Sequence, residues 1–236
     1  MIPTLVIFDI DGTLIKESKA SIVSYKNAIS ACYDVEINQD DLLTSGKTDI
    51  QIFKEILRRF GIEAKENDYD RLINKYLSYL KIALKKNPGI ILPGVRHLLN
   101  ILSRIDYIQI ALGTGNIEQG ARIKLAIHNL NSYFLTGGFG TDAIRRSDII
   151  SCAIKKSQKK YMIKYQRIVV VGDTPYDIES AKINNVYSIA VATGPFSIKK
   201  LESKKPTFVL RDLMNEELFF SVLNTLPPLK YSVDQY

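Results

Sequence analysis

The chain has 236 residues, 46% of them hydrophobic and 24% charged, the proportions of an ordinary globular protein with room for a sizeable core. No apolar run approaches the roughly 20 residues of a membrane span, and Met1-Ile2-Pro3-Thr4 has no basic n-region, so a cytoplasmic protein without a membrane partner is expected. The formal charge of +7 is spread along the chain, as in Lys155-Lys156 and Lys159-Lys160, without an aromatic-basic motif; it predicts a solvated surface that draws small anions rather than nucleic acid.

Leu5 to Phe8 is a short continuous apolar run rich in branched residues, which predicts a strand buried on both faces. From about Ser18 to Lys86 no strand pattern follows. Helical spacing instead runs through Ala20 to Tyr33, Asp49 to Phe60 and Asp68 to Lys85, where Leu72, Tyr76, Leu80 and Leu84 recur every four residues. Residues 17–86 are therefore expected to form an all-helical cap inserted after the first strand, with Tyr69, Tyr76 and Tyr79 packing its helices. The chain would return through Asn87-Pro88-Gly89 and Pro93-Gly94, whose Pro-Gly pairs mark turns.

Strands and helices then alternate. A helix is expected over 95–104, a strand over 108–112, and a helix from Ile117 to Asn129 with Ile117, Ala121, Leu125 and Ile127 near one face. A weak strand at Tyr133-Phe134-Leu135 precedes a helix over 148–160 capped by Ser147. Strand 168–171 leads to a helix over 176–183, with the proline of Thr174-Pro175 suited to its first turn. Strand 187–191 and an edge strand at Phe208-Val209-Leu210 complete the pattern. Such alternation predicts an α/β fold, a doubly wound, Rossmann-like parallel sheet with right-handed crossovers, built from residues 1–16 and 87–236. The tail after Pro227-Pro228 is expected to be loose. Cys32 and Cys152, far apart and outside any CxxC pattern, read as reduced thiols. His97 and His128 read as ordinary helical histidines without a metal partner.

In open α/β sheets ligands bind beyond the carboxyl ends of the strands. Three such ends carry polar motifs here: Asp9 and Asp11 in Val6-Ile7-Phe8-Asp9-Ile10-Asp11-Gly12-Thr13-Leu14, Thr114 in Leu112-Gly113-Thr114-Gly115-Asn116, and Asp173 with Asp177 in Gly172-Asp173-Thr174-Pro175-Tyr176-Asp177. If these strands are neighbours, the five side chains converge. Crowded carboxylates repel one another, and a cation relieves the repulsion. Oxygen-only ligands with no histidine or cysteine select a hard ion such as Mg2+, which also takes waters and a substrate phosphate.

On these three motifs, in this order, the chain resembles the haloacid dehalogenase-like hydrolase superfamily, in its phosphoglycolate-phosphatase-like branch with a helical cap. The resemblance covers nearly the whole chain. It implies that Asp9 is a nucleophile forming an aspartyl-phosphate and that Asp11 is first the acid for the leaving oxygen and then the base for water. It implies Mg2+ held by Asp9, the Asp11 backbone carbonyl and Asp173, with Asp177 in support. Thr114 and nearby backbone N–H groups would hold phosphoryl oxygens, with Gly12, Thr13, Gly115 and Asn116 completing the substrate-binding set. Gly12 would let the backbone turn tightly.

The family's third motif usually supplies a lysine. The corresponding stretch here, Gly140-Thr141-Asp142-Ala143-Ile144-Arg145-Arg146-Ser147-Asp148, has none before the helix. An arginine must then provide the charge, and Arg146 is preferred to Arg145 because it precedes Ser147; arginine binds phosphate bidentately. In the cap, Thr44-Ser45-Gly46-Lys47-Thr48-Asp49 reads two ways: Lys47 meets an anionic substrate on closure, or Thr48 or Asp49 caps the helix and Lys47 is solvated.

Asp11 and Asp173 favour phosphoryl transfer over dehalogenation, since halide leaves carbon without a proton or a metal. The expected enzyme is a magnesium-dependent phosphatase of a small phosphomonoester, phosphoglycolate-like or a sugar phosphate, working as a monomer or homodimer. A phosphosugar mutase and a non-catalytic phosphate-binding module on the same scaffold are the alternatives.

Overall fold

In the computed structural model, residues 1–17, 19–38 and 44–229 are described. Six parallel strands form one sheet in the order β5-β4-β1-β6-β7-β8. They are β1 (Thr4–Phe8), β4 (Ile108–Gly113), β5 (Gly137–Gly138), β6 (Arg167–Gly172), β7 (Tyr187–Val191) and β8 (Phe208–Leu210). The apolar run is the central strand β1, buried along its whole length. Because it alternates, it feeds both faces: Val6 and Phe8 join one core, Leu5 and Ile7 the other.

Register places the site. Phe8 pairs with Leu112 on β4 and with Val171 on β6, so the three strands end level. Asp9, Thr114 and Asp173 then leave the sheet side by side. Helices cover both faces: α4 (Val95–Leu102), α5 (Glu118–Ile127) and α9 (Glu216–Thr225) on one, α6 (Arg146–Tyr161) and α7 (Pro175–Ile183) on the other. The short helix α8 (Ile198–Glu202) precedes β8.

The chain leaves β1 through β2 (Ile15–Lys16) and returns through β3 (Ile90–Ile91), which pair antiparallel as a two-stranded ribbon. Between them the described regular elements are helices: α1 (Ala20–Tyr33), α2 (Asp49–Arg59) and α3 (Glu66–Lys86). They share a core of their own, in which Tyr25 stacks on Tyr76 at 4.5 Å and Phe53 meets both rings edge-on. Tyr69 and Tyr79 pack at its margin. Thr48 is the α2 cap, accepting from the Gln51 N–H while Gln51 accepts from the Thr48 N–H.

Three expectations need correction. The weak strand at 133–135 is absent: Asn131–Tyr133 is a 3-10 turn, Phe134 is buried and Leu135 is 58% exposed. The strand is Gly137–Gly138, invisible to β-propensity because α6 packs so close that a Cβ on Gly138 would lie 2.0 Å from the Ile149 carbonyl. Ser147 does not cap α6; the extended Arg145 occupies the N-cap and the helix starts at Arg146. Ile127, 37% exposed, leaves the apolar stripe of α5. The expectation of a loose tail after Pro227-Pro228 falls on residues 230–236, which lie outside the described residues; before them, the Leu229 N–H donates to the Gln166 carbonyl at 2.7 Å. Cys32 and Cys152 are free thiols. Among the described residues no helix is long and apolar enough to cross a membrane.

Candidate active site

After β1 the backbone turns sharply. The N–H groups of Thr13, Leu14 and Ile15 all point to the Ile10 carbonyl, and Ile10 itself turns back into the core. Gly12 sits at φ +84°, where a Cβ would come within 2.4 Å of Asp173 Oδ2. The loop after β7 closes the other side. The Thr193 hydroxyl donates to the Gly12 carbonyl at 2.5 Å, and a Cβ on Gly194 would collide with Asp173.

These close approaches surround three buried carboxylates. Asp9, Asp173 and Asp177 each offer an oxygen within 4.8 Å of the others. Burial, with Asp177 and Asp11 adding to it and Arg146 opposing it, pushes Asp9 up to about 6. Burial, then Asp9 and Asp177, pushes Asp173 well above its ordinary range. Asp173 is 1% exposed and accepts the Thr13 hydroxyl at 3.1 Å, so Thr13 here braces an acid. Asp177 accepts the Thr174 N–H and O–H at 3.0 and 2.6 Å in the capping box of α7. Three crowded, desolvated oxygens without nitrogen or sulfur donors fit a hard divalent ion.

Arg146 is the cation among them. Its Nη2 lies 2.7 Å from Asp9 and 2.6 Å from Asp177, while its Nε is buried without a partner. A phosphoryl oxygen is the kind of acceptor that donor lacks. Arg145 points elsewhere: its side chain is 80% exposed and pairs with Asp148 at 2.9 Å.

Asp11 stands apart from the triad. Both its oxygens engage Lys124 Nζ, at 2.9 and 2.8 Å, and Asn116 Nδ2 donates to one of them at 2.7 Å. Asn116 Nδ2 also lies 2.8 Å from the buried Thr114 hydroxyl oxygen. Lys124, which no motif includes, is 2% exposed and comes within 3.4 Å of Glu17. Burial pulls its pKa down, but Asp11 and Glu17, joined by Tyr76 and Asp49, outweigh that and hold it well above the ordinary lysine value.

Helices α1 and α2 roof a cavity of about 590 Å3, with Asp9, Thr114 and Arg146 on its floor and Tyr25, Lys47 and Ile52 among its upper walls. Lys47 faces it while pairing with Glu55 at 2.5 Å. Asp49, at the start of α2, seams this roof to the sheet: its N–H donates to the Gly115 carbonyl at 3.0 Å, and its carboxylate accepts the Tyr25 hydroxyl and, at 2.8 Å, the Ile117 N–H. Burial, opposed by Lys124 and by these two donors, raises Asp49 to about 6. An acid whose folded pKa is raised contributes stability that is full below its unfolded pKa and is lost as pH rises through the folded one. Wild type should therefore gain on the order of 2–3 kcal/mol over Asp49→Asn between pH 7 and pH 4. Parallel melting curves for the two proteins across that range would reject this.

His97 and His128 lie outside the site, against Glu216 and the Pro88 carbonyl. Lys124 and Tyr25 left no motif in the sequence, though Lys124 falls at i+7 from Ile117 on the very stripe that also holds Ala121 and Leu125. Glu17 and Thr193-Gly194 left no signal.

Residues 6–191 match the family described as haloacid dehalogenase-like hydrolase. The chain is 28% identical to a phosphoglycolate phosphatase of Agrobacterium fabrum over 88% of each protein. It is 25% identical to the tyrosine-protein kinase PtkA of Mycobacterium tuberculosis over 92% of this chain and 71% of that one. Among solved structures, CbbY of Rhodobacter sphaeroides in complex with phosphate superimposes with a TM-score of 0.73 over 95% of this chain and all of that one, at 15% identity, which is a likeness of fold.

Proposed function

The chain belongs to the haloacid dehalogenase-like hydrolases, and we propose that it is a phosphoric monoester hydrolase, a magnesium-dependent phosphatase of a small phosphomonoester. The observation that carries this is Asp9: a buried carboxylate at the end of the central strand, beside two further acids and one arginine. The Agrobacterium relative, named for phosphoglycolate, supports a phosphoglycolate-like or sugar-phosphate substrate.

Asp9 and Asp173, with the Asp11 backbone carbonyl and Asp177 in support, would hold the magnesium ion. Bound there, it supplies Lewis-acid screening of the phosphoryl charge. Asp9 attacks phosphorus through one oxygen, the ester P–O bond breaks, and Asp11 gives the leaving alkoxide its proton. Asp11 then takes a proton from water, which attacks the aspartyl-phosphate and releases inorganic phosphate and Asp9. The separation of Asp11 from the triad suits this division, because a proton donor belongs at the leaving group rather than at the ion. Arg146 and the Thr114 hydroxyl would bind phosphoryl oxygens. Residues 17–86 would act as the cap, and 1–16 with 87–236 as the catalytic core. The enzyme would serve a soluble cytoplasmic metabolite, as a monomer or homodimer without nucleic-acid partners.

A screen of small phosphorylated metabolites with Mg2+ tests this. Phosphate release from at least one alkyl phosphate is expected, lost in excess chelator and restored by added Mg2+. Full turnover in chelator would remove the metal from the reading. Conversion of a hexose 1-phosphate to its 6-phosphate, in place of phosphate release, would reassign the chain as a mutase.

A further inference from the structure

A buried ammonium is costly unless its partners are complete, and Lys124 is buried in a slot where a leucine or methionine would continue the Ile117–Ala121–Leu125 stripe. Packing alone therefore does not call for a charge there. What the charge meets is specific: two contacts go to Asp11, which leaves β1 on the sheet side, and one to Glu17, which precedes the first cap helix. Glu17 is itself tied to α1. The N-cap residue Lys19 gives that helix no side-chain bond, and Glu17 takes the role by accepting the Ser21 N–H at 3.1 Å and the Ser21 hydroxyl at 2.9 Å. Ser21 in turn meets the Tyr76 hydroxyl of α3 at 3.4 Å. A continuous polar chain thus runs from the cap helices through Glu17 and Lys124 to Asp11.

We propose that Lys124 is a positioning residue: it fixes the Asp11 carboxyl for proton transfer and, through Glu17, makes that placement depend on the seating of the cap. This rests on the reading of Asp11 as acid and base. With the cap seated, as here, Lys124 and Asn116 hold Asp11 against rotation. Displacing the start of α1 withdraws Glu17, leaves Lys124 one partner short and loosens Asp11. Proton transfer is thereby confined to the closed enzyme, where water is excluded.

The test separates leaving groups. Breaking the ester bond of an alkyl phosphate needs a proton from Asp11, whereas p-nitrophenolate leaves without one. Lys124→Met, Glu17→Gln and Asp11→Ala are each assayed in single turnover with Mg2+ on the best alkyl phosphate of the screen and on p-nitrophenyl phosphate, following alcohol or nitrophenolate release. Melting curves check folding. Lys124→Met is expected to slow alcohol release roughly 30-fold or more and nitrophenolate release less than about threefold. Glu17→Gln, whose amide oxygen still accepts from Ser21, is expected to show the same split at about fivefold. Equal losses on both esters, or no loss on either, overturn the proposal; if Lys124→Met does not fold, Glu17→Gln decides by the same criterion. Asp11→Ala identifies which idea has failed. If it shows the split and the other two do not, Lys124 is not a positioning residue; if it shows none, Asp11 is not the acid and the proposal falls with it.

Discussion

Asp9→Asn is expected to lower kcat/KM for every phosphomonoester the enzyme accepts by at least about 10^4-fold, a loss of roughly 5–6 kcal/mol of transition-state stabilisation. Asparagine is nearly isosteric and keeps an oxygen to accept from Arg146, now 2.7 Å from Asp9. On the proposed reading it removes the anionic nucleophile, so that no covalent phosphoryl-enzyme would form, and it removes one of the three carboxylates that would hold the ion. Stability should move the other way. Burial and two neighbouring acids oppose the charge on Asp9, so without Mg2+ the variant should melt no lower than wild type, the pattern of a site strained for function. Steady-state rates, calorimetry with and without Mg2+, and mass analysis to exclude deamidation back to aspartate check both halves. More than a tenth of wild-type activity in undeamidated protein would remove Asp9 from the nucleophile's place.

What the sequence disclosed follows from how locally each feature is specified. The central strand, its acids, and the Thr114 and Asp173 motifs were legible because a buried parallel strand must be continuously apolar and its end must be polar where ligand binds. The helices over 20–86 were legible because their apolar spacing is long and regular. Gly137–Gly138 was not, since two glycines carry no β-propensity and what calls for glycine at 138 is the close approach of α6, which only the fold reveals. Lys124 was hidden for a related reason. A lysine on a helix reads as a solvated face, and the partners that bury it, Asp11 and Glu17, are 113 and 107 positions away in sequence number. Gly194 needed the fold even more, for nothing in Ala192-Thr193-Gly194-Pro195 announces Asp173. Arg146 was chosen over Arg145 on the ground that it precedes a cap at Ser147. The cap is absent, yet Arg146 is the residue that reaches the acids, because it opens α6 on the face turned toward β1 while Arg145 remains in solvent.

Arg146→Ala should therefore be the second severe substitution, and its signature differs from that of Asp9→Asn. Among the described residues the guanidinium is the one cation placed against the triad, bonded to Asp9 and Asp177 through one nitrogen and keeping a buried Nε donor without a partner. Removing it deletes a charge that would face the transferring phosphoryl group, for which losses of roughly 10^3-fold in kcat are typical. It also leaves three mutually close, buried carboxylates uncompensated, and breaking a buried pair from one side costs about 3–5 kcal/mol. Those two deficits respond differently to metal. A divalent ion relieves the crowding of the acids, so saturating Mg2+ should raise the melting temperature of Arg146→Ala by more than it raises that of wild type. The same ion cannot reproduce the N–H groups that the arginine would direct at phosphoryl oxygens, so kcat should stay low at any Mg2+ concentration. Arg145→Ala, at an exposed pair worth less than about 1 kcal/mol, should remain within about twofold of wild type in both measurements. If Mg2+ restored the activity of Arg146→Ala along with its stability, the arginine would be a counter-ion for the acids alone. Phosphoryl binding would then fall to Thr114 and the backbone N–H groups at the ends of β1 and β4.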